Sequence, residues 1–128
     1  MLERLKIRRQ FLRVAANRRK WAAPGVVLQI APQPPDDRAR SDGPRYGLTV
    51  SRRVGNAVVR NRARRRLRAV AEDVLPRLAA PAHDYVLIGR QDTPARDFRA
   101  LAGDLEAGLR KLGALRQAAP DATPRATD

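Results

Sequence analysis

Between Arg52 and Arg68 the chain carries eight arginines and no acidic residue, and apolar residues interleave with them in S-R-R-V-G-N-A-V-V-R-N-R-A-R-R-R-L-R, which begins at Ser51. Few conformations can separate those two kinds of side chain. At about 100° per residue, Val59, Ala63, Leu67, Val70 and Val74 fall within an arc of roughly 80°, so the spacing predicts an amphipathic helix with that stripe against a core. Arg60, Asn61, Arg64, Arg65 and Arg68 lie on the outer side of the same wheel, and Arg62 and Arg66 flank the stripe. Like charges four residues apart, at 60/64, 64/68 and 62/66, each cost a few tenths of a kcal/mol in an isolated helix. Arg60 near the helix start also opposes the dipole. A face kept at that cost points to a polyanionic partner.

The rest of the composition agrees. Lys+Arg 27 against Asp+Glu 13 gives a net charge of +14, which favours nucleic acid over a membrane or a small substrate. Lys6, Lys20 and Lys111 are the only lysines, so 24 of the 27 basic residues are arginine, whose planar fork binds phosphate bidentately and stacks on bases. The basic helix has a short core stripe rather than the broad exposed apolar band of a membrane-surface helix. No cysteine occurs, so disulfides and cysteine metal sites are excluded and a cytoplasmic setting is expected. The start, M-L-E-R-L-K-I-R-R-Q-F-L, has no apolar run long enough for a signal peptide or a membrane span and reads as a mature N-terminus.

At 128 residues with 43% hydrophobic, one domain with a modest core is expected over 1–115. A short helix is predicted from Ile7 to Ala16, with Ile7, Phe11, Val14 and Ala15 on one face. A basic turn from Asn17 to Pro24 containing Trp21 follows, with room for a short strand, then a strand from Val26 to Ala31. Residues 33–44 (Q-P-P-D-D-R-A-R-S-D-G-P) read as an exposed flexible loop. The next strand spans Tyr46 to Ser51, and Gly55-Asn56 suits a bend and an N-cap opening the arginine helix, expected to stop near Leu75 before Pro76. Asp84 to Gly89 reads as a buried strand. Thr93-Pro94 or Asp97 opens a last helix with Phe98, Leu101, Leu105, Leu109 and Leu112 on one face. Residues 116–128 have no periodicity and read as a disordered tail.

This order predicts an α+β fold: a two-layer α/β sandwich, αβββαβα, with a mixed four-stranded sheet carrying helices on one face. Alternation places Val26, Leu28, Ile30, Tyr46, Leu48 and Val50 under the helices. Val27, Gln29, Gly47, Thr49 and Ser51 fall on the opposite side, small or polar enough to leave a shallow trough bordered by Phe11 and Val14. A single strand of nucleic acid could lie there.

Three blocks together resemble the protein subunit of bacterial ribonuclease P. They are R-N-R-A-R-R-R-L-R from Arg60 to Arg68, matching that family's R-N-R-x-K/R-R-x-x-R signature, its lead-in G-L-T-V-S-R-R-V-G-N-A-V at residues 47–58, and L-K-x-x-x-x-F-L-x-V from Leu5 to Val14. The resemblance covers about residues 5–112. It implies a ribosomal-protein-like sandwich with a left-handed β-α-β crossover, an exception to the usual rule. It further implies a small basic subunit, with no active site or bound cofactor of its own, paired 1:1 with a catalytic RNA. That RNA removes the 5′ leader of precursor tRNA using magnesium, and neither membrane nor DNA is a partner. By position, Arg60, Asn61, Arg62, Arg64, Arg65 and Arg68 fall on the RNA-contacting motif, and Arg52 and Arg53 on its basic lead-in. Phe11 and Val14 fall on the helix lining the leader cleft, with Gln29, Thr49 and Ser51 on its sheet side. Ala15 and Gln29 stand where family members often have aromatics, leaving fewer stacking platforms.

Other chemistry is poorly supported. His83, the only histidine, has no partner histidine or cysteine near it in sequence and suits a turn. Asp36-Asp37 lies in the expected loop, and Glu72-Asp73 suits salt links to Arg68 or Arg77. A two-metal nuclease needs several convergent carboxylates, and none are apparent. A structural ribosomal RNA-binding protein is the main alternative. A helix-turn-helix DNA-binding protein fails because no packed helix precedes the basic one at the required separation.

Overall fold

The computed structural model describes residues 2–35 and 43–116. In chain order the elements are β1 (Glu3–Arg4), α1 (Arg8–Ala16), β2 (Arg19–Ala22), β3 (Val26–Pro32), β4 (Arg45–Thr49), α2 (Ala57–Leu78), β5 (His83–Gly89), a 3₁₀ turn (Thr93–Ala95) and α3 (Phe98–Lys111). The strands form one mixed sheet in the order β1-β4-β5-β3-β2. Strand β5 pairs parallel with β4 and antiparallel with β3.

The expected α+β sandwich is present, with five strands rather than four. The extra strand, β1, pairs parallel with β4 through only two residues, too few to show a period in sequence. Strand β4 ends at Thr49, so Ser51 belongs to the following turn, where its Oγ accepts from the Arg53 N–H at 3.3 Å.

Each helix start is fixed locally. The Gln10 side chain reaches back to the N–H groups of Lys6 and Ile7 at 2.7 and 3.1 Å, satisfying donors ahead of α1. Asn56 accepts from the Val59 N–H at 3.0 Å and caps α2. Gly55 before it has φ +157°, and a Cβ there would lie 2.8 Å from the Val59 side chain, so the bend requires glycine. Asp97 accepts from the Ala100 N–H at 3.2 Å and caps α3. Helix α2 runs past Pro76 to Leu78 instead of stopping near Leu75. The proline withholds a single donor in the final turn, and Pro76 and Glu72 are both exposed, so water can serve the Glu72 carbonyl.

The main core lies between the sheet and α2 with α3. Ala63, Leu67, Val70 and Val74 of α2 meet Leu101, Leu105 and Leu109 of α3 over Val26, Leu28, Ile30, Tyr46, Tyr85 and Leu87. Val59 and Leu48 pack at its margin. Helix α1 does not share this side: Val14 is fully buried on the opposite face among Leu5, Ala31 and Val86, with Phe11 and Ile88 against them. Helices therefore cover both faces, one completely and the other at one end.

That end is held by charge. Asp84 on β5 is 0% exposed and pairs with Arg45 of β4, its register partner, at 2.8 Å and 2.9 Å, and also with Arg13 of α1. Arg13 also donates to the Pro32 carbonyl at 2.9 Å. The expected flexible loop, with Asp36-Asp37, falls mostly on 36–42, and the expected tail mostly on 117–128; both lie outside the described residues. The roots of the loop are tied, because buried Gln33 donates to the carbonyls of Gly43 at 2.8 Å and His83 at 3.2 Å.

Candidate nucleic-acid interface

The outer face of α2 presents its arginines as the spacing requires. Arg62, Arg64, Arg65 and Arg68 are exposed with Asn61, and a shallow groove runs between Val58, Asn61, Arg64, Arg65 and Arg68. Arg64 donates to the Asn61 side chain at 3.0 Å, and half-buried Arg60 donates to the Gly55 carbonyl at 3.2 Å. Among the described residues the ion pairs engage Arg13, Arg45, Arg77 and Arg96, and none of the arginines from 60 to 68. Arg66 differs from its neighbours. It bonds to the carbonyls of Thr93, at 3.2 Å, and Arg96, and so ties the 3₁₀ turn to α2.

On the other face of the sheet, three cross-strand rows set the order of side chains. Ala31, Asp84 and Arg45 form the row closed by α1; Gln29, Val86 and Gly47 form the next; Val27, Ile88 and Thr49 form the third. The Phe11 ring lies directly over Gly47, where a Cβ would come within 2.5 Å of it. Phe11 is half-buried, packed on the cluster of Leu5, Val14, Ala31 and Val86, while Gln29 is half-buried and Thr49 exposed. Val14 is fully buried and lies beneath the helix rather than at the cleft border.

The cleft continues into a groove of about 490 Å³ lined by Pro24, Val27, Ser51, Arg53, Val54, Gly89, Arg90, Gln91 and Asp92. Arg53 thus stands at the mouth of the sheet cleft, away from the α2 face with which the sequence grouped it, and exposed Arg52 lies in the turn beside it. Arg90 and Gln91 were missed in the sequence because they follow β5. Only the parallel β4–β5 pairing reveals that the loops after those two strands are neighbours.

The titratable groups serve structure. The Tyr46 hydroxyl donates to Glu72 at 2.7 Å, and burial followed by that carboxylate pushes its pKa up to about 12. Burial likewise raises Tyr85, which donates to the Ala80 carbonyl at 2.7 Å. Asp104 holds Arg96 charged beyond its ordinary range, pairing at 2.6 and 3.0 Å, and also accepts from the Gly25 N–H at 2.9 Å. His83 opens β5 rather than lying in the turn, and its Nδ1 sits 2.7 Å from the Pro81 carbonyl of the turn before it. Asp73 pairs with Arg77 at 3.3 Å. Among the described residues no three His, Cys, Asp or Glu side chains converge on a possible ion site. No described helix is long and apolar enough to cross a membrane.

An exposed arginine helix on one side of a small sheet and a half-open cleft on the other define the class: a basic α/β RNA-binding domain. Comparison with known proteins narrows it. The ribonuclease P family model matches residues 2–113, and the chain belongs to that family. It is 53% identical over 116 residues to the ribonuclease P protein component of Paramagnetospirillum magneticum, covering 91% of this chain and 86% of that one. It is 51% identical over 110 residues to that of Gluconacetobacter diazotrophicus, covering 86% and 90%. The fold matches the ribonuclease P proteins of Staphylococcus aureus (TM-score 0.70, 24% identity, 88% and 97% covered) and Thermotoga maritima (TM-score 0.66, 24% identity, 86% and 94% covered). The role that follows is that of a non-catalytic protein subunit in a ribonucleoprotein endoribonuclease that processes tRNA 5′ ends, working with an RNA partner.

Proposed function

We propose that the two surfaces divide the work of the holoenzyme. The α2 face, with Arg60, Asn61, Arg62, Arg64, Arg65 and Arg68, binds phosphates of the catalytic ribonuclease P RNA. The cleft formed by Phe11, Gln29, Thr49 and Ser51 over the Val14 anchor takes the single-stranded 5′ leader of precursor tRNA, and Arg52 and Arg53 contribute charge between the two. The observation that carries this reading is the row of exposed arginines, without ion-pair partners among the described residues, on a helix whose inner face is core. Such arginines have no ion pair to break on meeting phosphate, their planar fork loses less order per hydrogen bond than an ammonium does, and binding releases counterions. The protein acts as a single RNA-binding domain, one copy per RNA, in the cytoplasm. Magnesium belongs to the RNA, which carries out the hydrolysis.

Reconstitution with a bacterial ribonuclease P RNA tests this. Precursor tRNA cleavage at low magnesium should rise on adding the protein, because its charge substitutes for part of the ion atmosphere. No stimulation, together with stable association with ribosomal subunits, would favour a structural ribosomal role instead.

A further inference from the structure

The sequence places Phe98 with Leu101, Leu105 and Leu109 on the core stripe of α3, yet it is 41% exposed while those three leucines are fully buried. It is the first residue of the helix, and its ring faces α2 instead of the sheet. There it lines a shallow surface groove of about 400 Å³ with Arg62, Arg65, Arg66 and Ala69. Phe98 is the one exposed aromatic among Phe11, Trp21, Tyr46, Tyr85 and Phe98. Its position is built: Arg66 holds the carbonyls of Thr93 and Arg96, Arg96 pairs with Asp104, and Asp97 caps the helix. With Arg66 so engaged, exposed Arg62 and Arg65 are left to meet a ligand at the groove.

We propose that Phe98, Arg62 and Arg65 form a subsite for one unpaired nucleotide of the catalytic RNA, its base stacked on the Phe98 ring and its phosphate held by the arginines. This rests on α2 facing that RNA. A paired base already has both faces stacked, so an aromatic platform selects a base that is splayed out. The groove joins the rest of the arginine face through Arg65, which lines both depressions, so one RNA can span them. A second copy of the chain is disfavoured as occupant, since each copy carries a net charge of +14.

The test is affinity for a bacterial ribonuclease P RNA, measured against salt, for Phe98→Leu, Phe98→Trp and the double variant Arg62→Ala with Arg65→Ala, each with a melting curve. Phe98→Leu keeps apolar volume and should bind about five- to tenfold more weakly with an unchanged salt slope, because no phosphate contact is lost. Phe98→Trp should stay within about twofold of wild type. The double variant should lower the salt slope by about two. Wild-type binding by Phe98→Leu beside a weakened double variant overturns the subsite and leaves the α2 reading intact; wild-type binding by both overturns the α2 reading as well. Equal weakening in folded Leu and Trp variants overturns stacking, and a protein dimer abolished by Phe98→Leu reassigns the groove to self-association.

Discussion

The two faces of the sheet are built from the same strands by different means. Under α2 and α3, Tyr46, Leu67, Tyr85, Leu101, Leu105 and Leu109 are all 0% exposed, and burial of apolar area supplies the adhesion. On the α1 face the apolar cluster is only Leu5, Val14, Ala31 and Val86, with Phe11 and Ile88 at its edge. What seats α1 is Asp84, a carboxylate with no exposed surface shared by arginines from two other elements. The closed face is held by area, the open face by a polar pin at one end. A pin occupies one row of side chains and leaves the remaining rows available for a ligand, which area-based adhesion would not.

The comparison breaks first at the pin. Asp84→Asn should destabilise the fold by about 3 to 5 kcal/mol, because the buried carboxylate charge that Arg45 and Arg13 share is lost, comparable with the roughly 2 to 5 expected for Leu67→Ala on the closed face. Urea unfolding measures both, and a cost under about 1 kcal/mol for Asp84→Asn would remove the pin. The arginine face comes next: with about five phosphates neutralised, affinity for the catalytic RNA should fall two to three decades between 50 and 200 mM salt. A flat response in a filter-binding titration would end the electrostatic account.

The closed face has its own titration. Tyr46 has its folded pKa raised from 10.0 to about 12, so the folded state holds the proton more tightly than the unfolded state. The stability it contributes is complete below pH 10 and is lost as pH rises toward 12, by about 2 to 3 kcal/mol. Tyr46→Phe should remove that part of the alkaline decline in urea midpoints, and the same decline in both proteins would show that the hydroxyl is not responsible. The smallest expected effect is on the open face. Phe11→Ala should weaken precursor tRNA binding to the holoenzyme about five- to tenfold, at the low end for one stacked base, while mature tRNA binds as before. Equal weakening of both ligands in a folded variant would make Phe11 a packing residue only.

Features set by neighbours in sequence were legible there. The inner stripe of α2, the caps at Asn56 and Asp97, and the alternation that buries Leu28 and exposes Thr49 all follow from local periods. What escaped depends on pairs far apart in the chain. Asp84 reads as an ordinary residue at the start of a strand until β4 and β5 align it with Arg45, 39 residues away, and α1 brings Arg13 from 71 residues away. The helical period sets Arg65 on the outer side and Arg66 beside the stripe, but not that Arg66 clamps the turn before α3, about thirty residues on. Phe98 shared the period of the core leucines and lost its place in the core because its helix begins there, beside α2. Among the site residues, those on α2 were readable from one helix, whereas the groove by Arg53 and Arg90 needed the strand order.

That strand order also governs how the molecule is made. Strand β5 separates β3 from β4 in the sheet yet is the last strand in the chain, so while it is being translated β3 and β4 lack their shared neighbour. At ribosomal speeds of about 5 to 20 residues per second, the 57 residues from the end of β3 at Pro32 to the end of β5 at Gly89 take seconds to appear. During that interval a nascent chain carries apolar strands with unfilled edges, the kind of species that sticks to its own kind. Its repeated arginines supply mutual repulsion over the same interval. A charge pattern suited to holding RNA therefore also keeps unfinished copies of the protein apart before any RNA is bound.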